Sequence, residues 1–410
     1  MIKILLGGSP CTHWSIAQKN GRETQPNSGL GWELFLNYKI ALEKYKPDYF
    51  LYENNESASQ DIKDEIARQL NVVKPDLLTP DTGVRMTHIN SALVSAQQRK
   101  RFYVTNFGDI YQPQDRGILL RDVLDGMTYR STARTILRGG EPVYIGEMPE
   151  HKGTYRNGKQ PSQQYRVYDI NAKGVAVTTC AITNVAIPVR VGTMPKSDGA
   201  AVDHQQSRIY SIDGKATNLN ANGGGQGAKT GLYALPVDNY YAVPVERDKH
   251  GRPTKAISGD DCKVYTVYEV NGGIITIRGK QYPIKLPDGF YIIRKLTVNE
   301  CKRLQTIPDW YEFPAKDAQA YKMLGNGWTI EVIKYLLSHI PNIQNEDIEV
   351  LSMYDGMSCG QIALKEMGCN VVKYYATEID KYAIQTTQHN FPNTIQLGDA
   401  FQVREEGWHI

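Results

Sequence analysis

The apolar positions change their period along the chain. Residues 2–6 form a short, mostly apolar run that stops at Gly7-Gly8, the pattern of a buried strand. "GWELFLNYKIALEKYK" (31–46) spaces its apolar residues for a helix, and "PDYFLYEN" (47–54) and "KRFYVTNF" (100–107) read as further strands. Strands alternating with helices predict an α/β fold with a mostly parallel, doubly wound sheet. From about residue 112 to 290 the pattern breaks into short β-like runs rich in Gly, Tyr, Thr and Asn. Three segments there resemble one another: "QQYRVYDINAKGVAVTT" from Gln163, "QQSRIYSIDGKATNLNA" from Gln205 and "KVYTVYEVNGGIITIRG" from Lys263. Each predicts a hairpin with a polar turn, and stacked hairpins predict a smaller β-rich domain. "NANGGGQGAKTG" (220–231) lacks the strand, the helix and the GK[ST] of a phosphate cradle and reads as a loop.

From Arg294 the α/β pattern returns. Thr297 with Glu300 forms a capping box ahead of a helix, and "GWTIEVIKYLLSHI" (327–340) is amphipathic. "PNIQNED" (341–347) reads as a linker. Residues 348–368 then read as strand, glycine turn and helix, followed by strands "VVKYYATEID" (371–380) and "TIQLGDA" (394–400). The division expected is 1–111 and 291–410 as two parts of one α/β domain, with 112–290 inserted between them.

Composition narrows the class. Hydrophobic residues are 41% and charged residues 22% of the 410, ordinary for a globular chain. No apolar run approaches the roughly 18 residues of a membrane span, and no secretory leader is legible. Cys11, Cys180, Cys262, Cys301, Cys359 and Cys369 show neither CxxC nor Cys/His spacing, which argues against zinc and against a disulfide framework. The cytoplasm is the expected compartment. A net charge of +3 permits nucleic-acid binding without demanding it.

Two stretches carry chemistry. A strand feeding the turn Gly356-Met357-Ser358-Cys359-Gly360 and a helix presents backbone N–H groups at the sheet edge. Glu378, at the end of the next strand, can accept from ribose hydroxyls, and Asp399 after the third can bind an adenine amino group. These residues outline an adenosine pocket, set against the plainer reading that the glycines only pack. The turn lacks the three spaced glycines of a pyrophosphate site, which favours S-adenosylmethionine. At the other end, Pro10 and the glycine turn project Cys11 from a strand end, with Glu53 and "QQRKR" (97–101) on later strands. A cysteine, a carboxylate and arginines beside a methyl donor suit methylation at carbon 5 of cytosine. A thiolate adding at C6 makes C5 nucleophilic, an acid at N3 takes up the developing charge, and arginine holds O2 and a flanking phosphate. The base must be flipped out of a duplex to be reached.

These motifs resemble those of the DNA cytosine-5 methyltransferases. "GGSPC" is similar to the family's nucleophile loop, "ENN" to its Glu-Asn-Val, and Gln97, Arg99 and Arg101 to its Gln-x-Arg-x-Arg. "RKLTVNECKRLQTIPDWY" (294–311) resembles the segment after the recognition domain, and "MLGNGWTIEVIKYLL" (323–337) the last helix. "YDGMSCG", "EID" and "GDA" resemble the three cofactor motifs, and "SPCTHWS" leans toward phage enzymes and the vertebrate de novo methyltransferases. The resemblance implies a Rossmann-like S-adenosylmethionine-dependent sheet with a β-rich target-recognition domain. It implies Cys11 as nucleophile, Glu53 as N3 partner, Asn54 as holder of the nucleophile loop, and Arg99 and Arg101 as ring and phosphate ligands. Pro10, Asn326, Trp328, Tyr354, Asp355, Gly356, Ser358, Gly360, Glu378, Ile379, Asp399 and Ala400 fall at cofactor positions. No metal is implied.

Asn55 departs from the family's Val, and Ser358 and Cys359 from its usual glycines. The family runs cofactor motifs first; here they come last, so the chain reads as circularly permuted, with "PNIQNED" bridging the old ends. Loss of the last sixty residues is then expected to abolish cofactor binding while leaving the nucleophile loop in place. Residues 16–32 read as a loop closing over the flipped base. Duplex DNA is the expected partner of a monomer, and a cognate restriction endonuclease is compatible with the family. A tRNA cytosine-5 methyltransferase and a silent DNA-binding paralogue stay open as alternatives.

Overall fold

The computed structural model describes residues 1–10, 13–15, 22–73, 83–125, 144–147, 166–168, 186–195, 207–219, 231–238, 240–259, 263–408 and 410. Its first part holds strand β1 (Ile2–Gly7), helix α1 (Gly29–Tyr45), β2 (Tyr49–Asn55), α2 (Gln60–Val73), β3 (Arg85–Asn90) and β4 (Lys100–Thr105). The insert carries the pair β5 (Tyr144–Glu147) and β6 (Arg166–Tyr168). Beyond them come β7 (Arg190–Thr193), β8 (Arg208–Ser211), β9 (Leu232–Pro236), β10 (Val243–Arg247), β11 (Pro253–Ser258), β12 (Lys263–Asn271), β13 (Ile274–Ile277), β14 (Lys280–Pro283) and β15 (Gly289–Arg294). The chain finishes with α3 (Val298–Leu304), α4 (Asp317–Asn326), α5 (Ile330–Leu337), β16 (Asp347–Met353), α6 (Cys359–Glu366), β17 (Asn370–Thr377), α7 (Lys381–Asn390) and β18 (Ile395–Gly398).

Seven strands from the two ends of the chain form one sheet, ordered β18-β17-β16-β1-β2-β4-β3. The pairings from β18 to β2 are parallel, and β4 is antiparallel to both β2 and β3. β1 is central and buried on both faces, which is why its sequence is apolar rather than alternating. Ile4 and Leu6 face a layer that includes α5 and α6, while Leu5 faces the layer of α1 and α2. Gly360 lets α6 settle on the sheet, since a Cβ there would lie 2.5 Å from Leu6 Cδ1.

The insert's main sheet runs β10-β11-β12-β15-β9-β8-β7. Tyr233, Leu235 and Ile292 join the large core of the α/β part, whereas Ala234, Tyr291 and Ile293 close a separate small core. The insert is therefore welded to the α/β layer rather than hung from it. β15 runs to Arg294, past residue 290. There Arg294 and Glu300 form a fully buried bidentate ion pair at 2.7 and 2.6 Å.

The capping box holds: Glu300 N–H donates to Thr297 Oγ1 at 3.2 Å and Thr297 N–H to Glu300 Oε2 at 2.8 Å. Of the three repeats, the third is the expected hairpin, β12 to β13 around Gly272 and Gly273, both at positive φ. The second is not a hairpin. After β8 the chain does not fold back on it, because Ala216 hydrogen-bonds to Ala96 and Gln98 beside the "QQRKR" segment. In the first, β6 pairs with β5, and residues 169–185 lie outside the described residues, as do 220–230 of the glycine-rich stretch. Residues 29–32, expected in the closing loop, form the first turn of α1, where Trp32 is buried in the core. Residues 16–21 of that loop lie outside the described residues.

Candidate active site

The parallel pairing of β1 with β2 sets Gly7 opposite Tyr52. Only glycine fits beyond that point. A Cβ on Gly8 would lie 2.3 Å from Glu53 O, and one on Gly7 2.8 Å from Met353 O. The chain thus passes between the ends of β2 and β16 before it reaches Ser9. Asn54 Nδ2 donates to Ser9 O at 2.9 Å and approaches Ser9 Oγ at 3.2 Å, and Ser9 Oγ pairs with Tyr52 OH at 2.7 Å. Pro10 is exposed, and Cys11, the next residue, lies outside the described residues.

The segment that follows is tied to the same strand end. Asn55 Nδ2 donates to Ser15 Oγ at 3.3 Å, and Arg22 donates to Trp14 O at 3.2 Å and also to Ser57 O. Trp14 is buried, and its indole N–H reaches Glu23 Oε2 at 3.2 Å, which also accepts from Gly31 N at 3.0 Å. Consecutive asparagines therefore grip the chain on both sides of Cys11, which explains the departure at Asn55.

The Glu53 carboxylate is buried beside this loop. Arg101 Nε lies 2.9 Å from Oε1, and Trp328 Nε1 donates to Oε2 at 3.1 Å. Arg99 points elsewhere: it donates to Gly327 O at 2.8 Å, Gly325 O at 3.3 Å and Asn218 Oδ1 at 3.0 Å. Gln97 is fully buried, its backbone bridged to Ala216. Glu53, Asn54, Arg101 and Trp328 thus converge, while Arg99 joins the insert to the turn after α4.

On the other side of β1, the end of β16 turns through three left-handed residues, Tyr354 (φ 58°), Gly356 (φ 59°) and Ser358 (φ 62°). Ser358 takes this conformation although it is not glycine. Tyr354 N–H is held by Thr377 Oγ1 at 3.0 Å and its hydroxyl by Leu34 O at 2.8 Å. Glu378 bridges the turn to the end of β17, accepting from Gly356 N, Ile379 N and Asp380 N, each at 2.8 Å. Ile379 is 75% exposed beside it. Asp399 is exposed after β18 and caps Phe401 N at 2.9 Å, with Ala400 buried behind it. Asn326 is exposed at the end of α4.

These residues fit an adenosine-bearing methyl donor. Gly356 opens onto free space where a Cβ would meet nothing within 4 Å. Glu378 Oε2 accepts one bond and can take another from a ribose hydroxyl, and Ile379 offers an apolar surface to a purine.

Burial sets the ionisation of the neighbours. Asp355 is pushed up to about 6 by desolvation, against hydrogen bonds from Ser352, Ser358 and Tyr374. The Cys359 thiol is pushed up to about 12 and that of Cys301 well above its ordinary value, both by burial, so both stay protonated and unreactive. Among the described residues no group of three His, Cys, Asp or Glu could hold a metal, and no helix is long and apolar enough to cross a membrane.

Sequence reasoning missed the buried tyrosines. Tyr52 anchors Ser9, Tyr374 OH donates to Asp355 Oδ1 at 2.8 Å, and Tyr311 OH to Met357 O at 2.6 Å. In a strand such residues read as core. The one signal is a hydroxyl-bearing ring where Phe would pack as well.

A mostly parallel seven-stranded sheet in this order, layered by helices on both faces, is a Rossmann-like methyltransferase fold. Residues 1–342 match the C-5 cytosine-specific DNA methylases, and the chain belongs to that family. It is therefore a DNA cytosine methyltransferase that uses S-adenosylmethionine. Among its relatives, the orphan methyltransferase M.Rho11sI of Bacillus phage rho11s is 24% identical, covering 84% of this chain and 86% of that protein. The type II methyltransferase M.HgiCII of Herpetosiphon aurantiacus is 23% identical over 83% and 82%. The solved Entamoeba histolytica methyltransferase EhMeth matches with a TM-score of 0.40 and 14% identity, covering 82% of this chain and 77% of its own.

Proposed function

We propose that this enzyme methylates carbon 5 of a flipped-out cytosine within one short duplex DNA sequence, through a covalent adduct between Cys11 and C6. The observation that carries this reading is the pair of grips at the end of β2: Asn54 on Ser9, two residues before Cys11, and the Trp328 hydrogen bond and Arg101 ion pair on Glu53 next to it. Cys11 Sγ adds to C6 as the thiolate, and Glu53 meets N3 as charge builds there, so that C5 becomes nucleophilic. Arg101 holds Glu53 and presents positive charge to the ring and its phosphate. Asn54 keeps the Ser9-Pro10 backbone in place through the reaction. S-adenosylmethionine, when bound, would supply an electrophilic methyl group for C5; loss of the C5 proton then expels the Cys11 thiolate from C6 and restores the ring. Tyr354, Asp355, Gly356, Ser358, Gly360, Glu378, Ile379, Asp399 and Ala400 hold the methyl donor, with Pro10 and Asn326 at the rim.

Residues 112–290 form the target-recognition domain, with β15 carrying the chain on to Arg294. Arg99 serves as its tie to the catalytic part through Asn218. The chain works as a monomer in the cytoplasm of a bacterial or phage-infected cell, where its DNA is. An orphan phage enzyme and a type II enzyme both stand among its relatives, so a solitary role and service beside a restriction endonuclease both fit.

The test is base-resolution mapping of 5-methylcytosine in DNA from cells expressing the chain, beside Cys11→Ala. Methylation of one short sequence only when Cys11 is present is the expected outcome. Unmodified duplex DNA together with methylated tRNA, or with neither substrate modified, would sink the proposal.

A further inference from the structure

We propose that Trp328 is a positioning residue for Glu53, acting through its indole N–H on the carboxylate rather than as a ligand of the methyl donor. The inference rests on the role given to Glu53 above. Glu53 is buried, and its two oxygens meet different groups: Arg101 Nε lies 2.9 Å from Oε1 as an ion-pair partner, and Trp328 Nε1 donates a hydrogen bond to Oε2 at 3.1 Å, while Oε1 accepts none among the described residues. The terminal torsion of a glutamate is broad, so a charge alone leaves the carboxylate plane free to swing. An ion pair is not directional, so it is the indole hydrogen bond on Oε2, with the Arg101 charge beside Oε1, that fixes the plane. Indole suits the task because it donates and cannot accept, and so holds the acceptor face of the carboxylate in one direction.

The ring is itself held from behind. Trp328 N–H donates to Cys359 Sγ at 3.3 Å, and the adjoining Gly327 O accepts from Arg99 Nη2 at 2.8 Å and Gln305 Nε2 at 3.3 Å. Thr329 Oγ1, on its other side, donates to Gln305 Oε1 at 2.9 Å. Glycine at 327 eases this approach, since a Cβ there would press on Cys359 Sγ at 3.2 Å and Met323 O at 3.1 Å. The tryptophan backbone is thus bolted to the first residue of α6, and its tip reaches the end of β2. It links the methyl-donor turn to the reacting acid.

The experiment uses the full chain with Trp328→Phe, which keeps the ring and loses the donor, and Trp328→His, which keeps a ring N–H. Single-turnover methylation of duplex DNA is measured at saturating cofactor, with S-adenosylmethionine affinity measured separately by titration calorimetry. W328F is expected to slow the methyl-transfer step about ten-fold or more, the size of a lost hydrogen bond to a charged group, with cofactor affinity within about two-fold. W328H is expected to recover part of the rate, and adding W328F to Glu53→Gln to cost little further, because the amide can still accept from the indole but is no longer an acid for Trp328 to position. A rate that recovers with more cofactor, an unchanged rate, or additive losses in the double variant would overturn the assignment. If W328F does not melt cooperatively, the same comparison is made with W328H alone: its rate falling along with cofactor affinity overturns the proposal, and its rate held near wild type supports it. A wild-type chain that methylates no DNA overturns the proposed function, and this inference with it, a result distinct from any difference among the variants.

Discussion

Gly8 shows how tightly the chemistry is set at the scale of one residue. A methyl group there would stand 2.3 Å from Glu53 O, a backbone atom that cannot swing aside. Gly8→Ala must therefore push the Ser9-Pro10 segment off β2. Methylation is expected to fall at least a hundred-fold while S-adenosylmethionine still binds, which activity and calorimetry on the same preparation would show. Asp355 is a different case, a carboxyl raised to about 6 by burial from an ordinary 3.8. A native value above the unfolded one means that the folded state binds the proton more tightly, so stability increases as pH falls through about 6 and levels off below about 4. Above that window the buried charge costs about 3 kcal/mol, because each tenfold gain in proton affinity on folding is worth about 1.4 kcal/mol. Asp355→Asn removes the dependence and keeps the acceptor for Tyr374. Its stability advantage over wild type in urea titrations is expected to be largest at pH 7 and to shrink by about 1 kcal/mol per pH unit toward pH 4. An advantage that stays constant with pH would show that folding does not raise the Asp355 carboxyl above its ordinary value.

At the scale of the element, the end of β2 is the working part. Alternation along a strand sends Glu53 and Asn54 to opposite sides, one toward Arg101 and Trp328 and one toward Ser9. Asn55 adds the grip on Ser15 that the family's Val cannot make. Asn55→Val is expected to leave folding nearly intact and to lower the methylation rate about five- to thirty-fold, the value of about 1 to 2 kcal/mol for a partly buried hydrogen bond. A thermal melt beside the rate separates the two effects, and an N55V enzyme with full activity would show that this grip is idle. The helix that follows the insert was legible because Thr297 and Glu300 sit three apart. Its partner Arg294 was not, since a lone arginine at a strand end gives no sign that it will be buried against that same glutamate. The hairpin at Gly272-Gly273 was read from its turn residues. The repeat at Gln205 carries comparable residues and folds otherwise, because Ala216 finds a backbone partner in Ala96.

At the scale of the whole molecule, the two ends of the chain build one sheet. β1 pairs with β16 from Ile2↔Ile348 to Gly7↔Met353. Removing the last sixty residues would cut β16 at the centre of the sheet and bare an edge of β1. The expectation that the nucleophile loop survives such a truncation is therefore corrected: no folded protein should remain. The permuted order makes the opposite prediction for rearrangement. Lys44 lies 5.9 Å from the Trp408 ring, and Lys3 lies 5.0 Å from the ring of Tyr45, the residue next to Lys44. The segments near both termini thus meet at the end of α1. A chain opened between Asn345 and Glu346, with a short Gly/Ser link from Ile410 to Met1, is expected to fold and to methylate the same sequence within a few-fold. Circular dichroism and methylation mapping would check it.

By itself, the sequence determined the class of fold, the order of its motifs and the residue types of the site. Periodicity, turn chemistry and short motifs are local, and local geometry follows from neighbours a few residues apart. It could not determine where Trp328 points or what Arg99 holds, because those contacts span 275 and 119 positions and depend on how layers pack. Tertiary structure decided that the tryptophan between α4 and α5 meets the acid at the end of β2. It also decided that an arginine of the catalytic motif became the tie between the two parts of the molecule. A side chain's partner across the chain is selected by shape and by the need to satisfy buried polar groups, and neither is written in the residues beside it.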